Sequence, residues 1–249
     1  MNYVMENCLV KIGGSILENQ NAISSTILQL DKLLHKGKRC KNFIIITGGG
    51  SFANFVRYID NKLNIGNDLA HWEAILSMDL NAEGLHKQFP STSICDNFSG
   101  LTKKMNENSS KHHLLIFKTF NYLYKKDILP HSWNITSDSI ALHIAFQLGL
   151  KKCYLIKDVD GIINVKGDII KELSVDEFRM LKESKKLAEV DSNAENLKEQ
   201  SIPIDSYSLK LIDEYGIPCV ILNGSPSKQR ILQYFTNNQT LYTSLNPTK

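Results

Sequence analysis

The sequence predicts an α/β protein: a largely parallel sheet with helices on both faces. Short β-branched runs alternate with amphipathic helical stretches along the chain, and that alternation is the mark of βαβ units. Two stretches sharpen the reading. Phe43-Ile44-Ile45-Ile46-Thr47 runs into Gly48-Gly49-Gly50, then into a segment with Phe52, Phe55, Val56 and Ile59 at helical spacing. Cys8-Leu9-Val10-Lys11-Ile12 runs into Gly13-Gly14-Ser15. Strand, glycine turn and helix together bring bare backbone N–H groups up to an anion. Glycine lets a phosphate oxygen approach without meeting a Cβ. The chain therefore reads as built around two loops, one for each of two phosphate groups.

The totals bound the rest. The 249 residues suffice for one large α/β domain, and 42% hydrophobic with 22% charged residues is ordinary for a globular protein. No low-complexity linker divides the chain, so one domain with two lobes fits better than two independent domains. A formal charge of +3 favours small anionic ligands slightly but is far from a nucleic-acid footprint. The five cysteines (Cys8, Cys40, Cys95, Cys153 and Cys219) are scattered without metal-ligand spacing, so buried reduced thiols are expected. There is no basic leader with an apolar region and no run of membrane-spanning length, which predicts a cytoplasmic protein without a membrane partner.

In chain order, residues 8–12 form the first strand. Ala22 to Leu34 forms a helix through Ile23, Ile27, Leu30 and Leu34, with Gly37 as its stop. The second strand, 43–47, leads through the glycines into a helix reaching about Asn61. Asp68 to Leu80 is a further amphipathic helix, with Asp68 as a cap. From Phe89 to Lys111 the chain turns polar, with a short strand at Ser93–Cys95 and an exposed loop at Asn106–Ser110. Leu114 to Phe117 reads as a strand and Tyr122 to Pro130 as a connection. Thr136 or Ser137 caps a helix that ends at Gly149. Cys153 to Ile156 is a strand that delivers the loop Lys157-Asp158-Val159-Asp160-Gly161. Ser174 and Glu177 have capping-box spacing. Residues 182–200 form a charged surface, Tyr207 to Tyr215 a helix and Cys219 to Leu222 a strand, with a last apolar piece at 240–245.

Either glycine loop alone is more often a tight turn than a ligand site. Lys11 raises the functional reading, because a lysine ending an apolar strand cannot enter the core without a partner. At the strand's carboxyl end it reaches the crevice where open α/β sheets bind ligands, and a compact ammonium suits a transferring phosphoryl group. Gly48-x-Gly50-x-x-Ala53 also satisfies a dinucleotide fingerprint. However, the acidic residue that pattern requires would fall at 68–73, inside a helical segment. No GxxxxGK[ST] run is present, which excludes a Walker loop. Asp138 in a first helical turn either complements the helix dipole or pairs with Lys11 near the phosphates, with Thr136 or Ser137 contacting substrate. Asp158 and Asp160 either make a turn with Gly161 or border a nucleotide, with Lys157 near its phosphates. His71, Trp72, His131 and Trp133 are ligands or stackers in one reading and core in the other, commoner one. No HExxH or CxxC set occurs, so no metal-ligating side chains are assigned. The implied metal is Mg²⁺ held mainly by nucleotide phosphates.

Lys11-Ile-Gly-Gly-Ser15, Gly48-Gly-Gly50, Thr136-Ser-Asp138-Ser and Asp158-Val-Asp-Gly161, in this order, resemble the amino acid kinase (aspartate/glutamate/uridylate kinase) superfamily. The strand ending Asn223-Gly224 extends the likeness to most of the chain. Within it, the Ala70–Asp79 and Leu129–Ile140 stretches resemble the (5-(aminomethyl)furan-3-yl)methyl phosphate kinase branch of methanofuran biosynthesis. The resemblance implies a three-layer αβα sandwich with a mainly parallel sheet of roughly eight strands. It implies one domain over residues 1–249, with an acceptor lobe to about residue 150 and a nucleotide lobe beyond. It implies ATP, Mg²⁺, a small-molecule phosphate acceptor and a homo-oligomer. By motif, Lys11 stabilises the transferring phosphoryl, Asp138 organises that lysine, and Gly13, Gly14 and Gly49 donate backbone hydrogen bonds beside Ser15. Lys157, Asp158, Asp160 and Gly161 line the nucleotide side, and Gly48, Gly49, Gly50 and Ser51 hold the acceptor. Arg57, one or two turns beyond the glycines, is positioned to pair with acceptor phosphate.

Two departures stand out. Ile204 occupies the place where many members carry a second lysine, leaving Lys157 as its substitute, and Thr240–Thr243 lacks the usual Gly-Thr pair. These keep open a non-catalytic binding or storage protein of the same fold. Another acceptor, isopentenyl phosphate or UMP, is a further alternative; against the former, Ala53 follows Phe52 in place of the Gly-His of that branch.

Overall fold

The computed structural model describes residues 6–35, 40–107, 113–188, 203–237 and 239–248. Strand β1 (Glu6–Ile12) passes through a one-turn helix α1 (Gly14–Leu17) into α2 (Gln20–His35). Strand β2 (Cys40–Thr47) leads into α3 (Gly50–Leu63) and the long α4 (Asn67–Gln88). Then come β3 (Ser93–Cys95), α5 (Phe98–Asn106), β4 (His113–Phe117) and α6 (Phe120–Lys126). Helix α7 (Ser137–Gln147) precedes β5 (Cys153–Lys157), the small antiparallel pair β6 (Ile162–Ile163) and β7 (Ile169–Ile170), β8 (Glu172–Ser174) and α8 (Val175–Glu183). The chain closes with α9 (Ser206–Tyr215), β9 (Cys219–Asn223), α10 (Arg230–Asn237) and β10 (Thr243–Asn246).

Eight strands form one sheet in the order β3-β4-β2-β1-β5-β9-β10-β8. Every neighbouring pair is parallel except β9 and β10. The expected αβα sandwich is therefore the fold. Its central strands are buried on both faces, as a parallel sheet covered by helices requires. Strand alternation splits the core in two. Leu9, Ile44 and Ile46 pack with Ile140, Leu142 and Ile144 of α7, while Val10, Ile12 and Ile45 pack with Ile23, Ile27 and Leu30 of α2 and Phe235 of α10.

Four local findings differ from the sequence reading. Gly66 and not Asp68 is the N-cap residue of α4, which places Asp68 inside the first turn. The connection after Tyr122 contains helix α6. Its first turn is capped from a distance by Asp79, which accepts hydrogen bonds from the Thr119 and Phe120 N–H groups at 2.8 and 3.3 Å, a contact no local pattern signals. Helix α4 runs on to Gln88 because Ala82 and Leu85 continue its buried face. Expecting five reduced thiols was wrong: Cys8 and Cys40 form a disulfide, with Cα atoms 6.0 Å apart, and only Cys95, Cys153 and Cys219 are free. Parallel pairing of β1 with β2 brings the two cysteines together, although 32 residues separate them in the chain. Thr136 is the residue that caps α7, and the Ser174–Glu177 capping box is formed in full. Gly37, most of the Asn106–Ser110 loop and most of residues 182–200 lie outside the described residues. Among those described, no helix is long and apolar enough to cross a membrane.

Candidate active site

The strand ladder continues into both glycine turns. The Gly13 N–H donates to the Ile156 carbonyl at 2.9 Å and the Gly48 N–H to the Ile12 carbonyl at 2.8 Å. These bonds set the loops side by side at the carboxyl ends of β1 and β2. A Cβ on Gly14 would lie 2.6 Å from the Gly50 Cα, so the two backbones touch and only glycine fits. Gly50 also has φ +54, a left-handed conformation that side-chain-bearing residues avoid.

Alternation along β1 turns Lys11 to the same face as Leu9, toward α7, and leaves it 4% exposed. A buried ammonium needs a counter-charge. Asp138, in the first turn of α7 and 2% exposed, supplies it: its Oδ1 is 2.8 Å from Lys11 Nζ. The same carboxylate receives Lys157 Nζ, from the end of β5, at 2.7 and 2.9 Å. Two cations thus share one anion. Burial opposes the charge on Asp138, but the two lysines outweigh it and hold its pKa at about 2. For Lys11 burial dominates over Asp138, and the neighbouring Lys157 charge adds to it, lowering its pKa to about 8. For Lys157 burial is outweighed by the attraction of Asp138, and its pKa rises. All three groups are charged at neutral pH, leaving one net positive charge on a buried surface.

Above this triad opens a cavity of about 470 Å³. Of the residues singled out from the sequence, Lys11, Gly14, Ser15, Gly48, Gly49, Gly50, Arg57, His71, Trp133, Thr136, Ser137, Lys157 and Asp158 line it, while Trp72 and His131 do not. Asp138 sits behind the lysines. Gly13, Ser51, Asp160 and Gly161 are not in the lining. Asp160 instead pairs with Lys228 at 2.5 Å and Arg230 at 3.1 Å, and Gly161 (φ +148) packs against Thr243. The Arg57 guanidinium lies 4.7 Å from the Trp133 ring centroid, a cation–π distance. Trp133 donates its indole N–H to Asp60 Oδ2 at 2.8 Å.

Two further residues belong to the site without having been singled out. Glu18 Oε1 accepts from the Ser51 N–H at the start of α3, so a carboxylate of the chain itself sits on the second glycine loop. Asp205 is a hub: its carboxylate accepts from Thr136 N (3.0 Å), Thr136 Oγ1 (2.7 Å), Ser139 N (3.1 Å), Ser139 Oγ (2.6 Å) and Ser208 N (2.7 Å). It caps α9 and at the same time fastens the start of α7, which carries Asp138. Its cap position before Ser206 was a usable sequence signal; its reach to α7 was not. Among the described residues no group of three His, Cys, Asp or Glu side chains is arranged to hold a metal ion.

The chain is 28% identical to the (5-(aminomethyl)furan-3-yl)methyl phosphate kinase of Methanocaldococcus jannaschii over 239 residues, covering 95% of this chain and 96% of that one. It superposes on the crystal structure of UMP kinase from Ureaplasma parvum with a TM-score of 0.65 and 18% identity, covering 97% and 99% of the two chains. It superposes on UMP kinase from Bacillus anthracis with 0.68 and 15%, covering 98% and 97%. Residues 7–223 match the Amino acid kinase family, and with two glycine loops meeting over a buried lysine the chain belongs to that family and is a phosphotransferase.

Proposed function

We propose that the protein transfers the γ-phosphoryl group of ATP to a small phosphate monoester, and that this acceptor is (5-(aminomethyl)furan-3-yl)methyl phosphate, which becomes the diphosphate. The observation that carries the reading is the Lys11 ammonium, buried on Asp138 and lining the cavity where the Gly14 and Gly50 backbones touch. The relative from M. jannaschii, similar along nearly the whole chain, supports this choice of acceptor.

In this mechanism Gly14 and its neighbours receive the donor phosphates, and the Gly48–Gly50 loop receives the acceptor phosphate. An oxygen of the acceptor phosphate forms the new bond to the γ-phosphorus as the bond to the β–γ bridging oxygen breaks, and ADP leaves. Lys11 and Lys157 neutralise charge on the moving group, Asp138 holds both ammoniums in place, and Arg57 pairs with the acceptor phosphate. A phosphate monoester is already anionic, so no general base is required. The bare backbone of the two loops suits phosphate oxygens, and Mg²⁺ would be held through nucleotide phosphates. Bound there, it would supply further charge neutralisation.

The lobe up to about residue 150 carries the acceptor loop, and the remainder serves the nucleotide. We place the activity in the cytoplasm as a homo-oligomer. Helix α3 has no buried residue and exposes Phe52, Phe55, Tyr58 and Leu63, an apolar face suited to a second copy. A binding-only role, motivated by Ile204, is opposed by Lys157 filling the position beside Asp138. The test is ATP consumption with product analysis over a panel of phosphate monoesters that includes the furan compound. Turnover with that compound supports the reading. Binding of ATP and acceptor without turnover supports the storage alternative.

A further inference from the structure

His131 is gripped from both sides. Its Nδ1 lies 2.6 Å from Asp68 Oδ1, in the first turn of α4, and its Nε2 lies 2.8 Å from Asp127 Oδ1, in the left-handed cap that ends α6. A neutral imidazole has one N–H, so one of these carboxylates would face a lone pair. Only the doubly protonated ring satisfies both. The ring stacks on His71 with centroids 4.3 Å apart at 22° and meets Trp72 edge-on at 5.0 Å. The titratable groups facing it are Asp68 and His71 from α4 and Asp127 from the end of α6. His71 does not compete for the charge: its burial, helped by the His131 charge, lowers its pKa to about 4. For His131 itself partial burial acts downward, but the bonds to Asp68 and Asp127 outweigh it and raise the pKa.

The neighbouring residues give this grip a consequence. Ser132, Trp133 and Ile135, immediately beyond His131, form one wall of the cavity. That wall is fastened to α3 through Trp133 and Asp60. His131 is its fastening to α4 and α6.

We propose that His131, as an imidazolium, is a positioning residue that latches the 131–135 segment against α4 and α6 and so shapes the acceptor side of the cavity. The role in acceptor binding rests on the function proposed above; the latch itself does not. The test follows histidine ring protons by NMR in the full chain from about pH 5 to about 9, with the His131 signal assigned by its loss in a His131→Phe variant. The expected midpoint lies above 6.5 and moves down by about half a unit or more in Asp127→Asn, which removes one exposed carboxylate. The KM for the furan monophosphate is expected to rise about three-fold or more across that midpoint while kcat changes by less than about two-fold. His131→Phe is expected to lack this rise and to keep a high KM throughout. The acceptor phosphate titrates near pH 6, so the difference between the two profiles is the readout. A midpoint at or below 6.5, or one that Asp127→Asn leaves in place, overturns the latch whatever the enzyme phosphorylates. Matching KM profiles in the two proteins overturn its role in acceptor binding. If no acceptor is turned over, the phosphoryl-transfer reading fails, and the NMR arm still decides the latch.

Discussion

Replacing Asp138 by Asn removes the single anion between two buried ammoniums, and the structure sets the size of the effect. Lys11 and Lys157 each lie within 2.9 Å of the Asp138 oxygens, and stripping one partner from a buried pair costs about 3–5 kcal/mol. The protein has one escape, which is to release a proton from Lys11, whose pKa of about 8 is already depressed by burial. A lysine with a folded pKa below its unfolded 10.5 leaves the folded state with fewer bound protons between those two values, so stability rises with pH across that window. In the variant the window opens lower. The stability deficit relative to the parent should therefore shrink from about pH 6 to about pH 9, by roughly 1.4 kcal/mol for each unit that Lys11 falls further. Urea denaturation followed by circular dichroism at both pH values measures this, and phosphoryl transfer at neutral pH should be lost with the Lys11 charge. A deficit below about 0.5 kcal/mol at pH 6, or one independent of pH, would refute the shared-anion account.

The other predictions follow from the same site. In the parent enzyme kcat/KM, which reports the free enzyme, should fall as pH rises past about 8 and Lys11 loses its proton; a kcat/KM that stays flat well into the alkaline range contradicts that role. Glu18→Ala frees the Ser51 N–H, so the KM for a phosphate acceptor should drop by about three- to ten-fold while the loss of a contact at the start of α3 lowers stability by about 1 kcal/mol; an unchanged KM argues against an anion site there. Asp205→Ala removes the acceptor of five hydrogen bonds and should cost roughly 3–5 kcal/mol in urea denaturation, with kcat reduced and Asp205→Asn milder on both counts. Gly14→Ala pushes a Cβ into the Gly50 backbone and should abolish transfer; wild-type rates in that variant would mean the two loops do not meet.

Much of the site was legible because its chemistry is local. A lysine ending an apolar strand beside two glycines and an aspartate following a Thr-Ser cap are each patterns with a physical reason, and β1 pairing with β5 while packing against α7 brings them together. The two-sided burial of β1, β2, β5 and β9 likewise follows from their continuous apolar runs. What escaped notice depends on tertiary neighbours. Asp205 was passed over: one of its five bonds caps α9, and the other four go to α7 and its cap residue. Glu18 occupies no recognisable position until α1 folds it onto Ser51. The Cys8–Cys40 bond exists only once β1 and β2 are in register. Asp160 was read as part of a turn or as bordering a nucleotide; its pairing with Lys228 and Arg230 from the β9–α10 region had no local signal.

The central claim, that two glycine loops grip donor and acceptor across Lys11, is tested most directly by a crystal structure of the protein with the furan monophosphate and a non-hydrolysable ATP analogue. The acceptor phosphate should lie against the Gly48–Gly50 backbone and the terminal nucleotide phosphate beside Gly14, with the Lys11 amine within hydrogen-bond distance of the latter, about 3 Å. Phosphates bound elsewhere, or a Lys11 amine that stays on Asp138 out of reach of both, would contradict it.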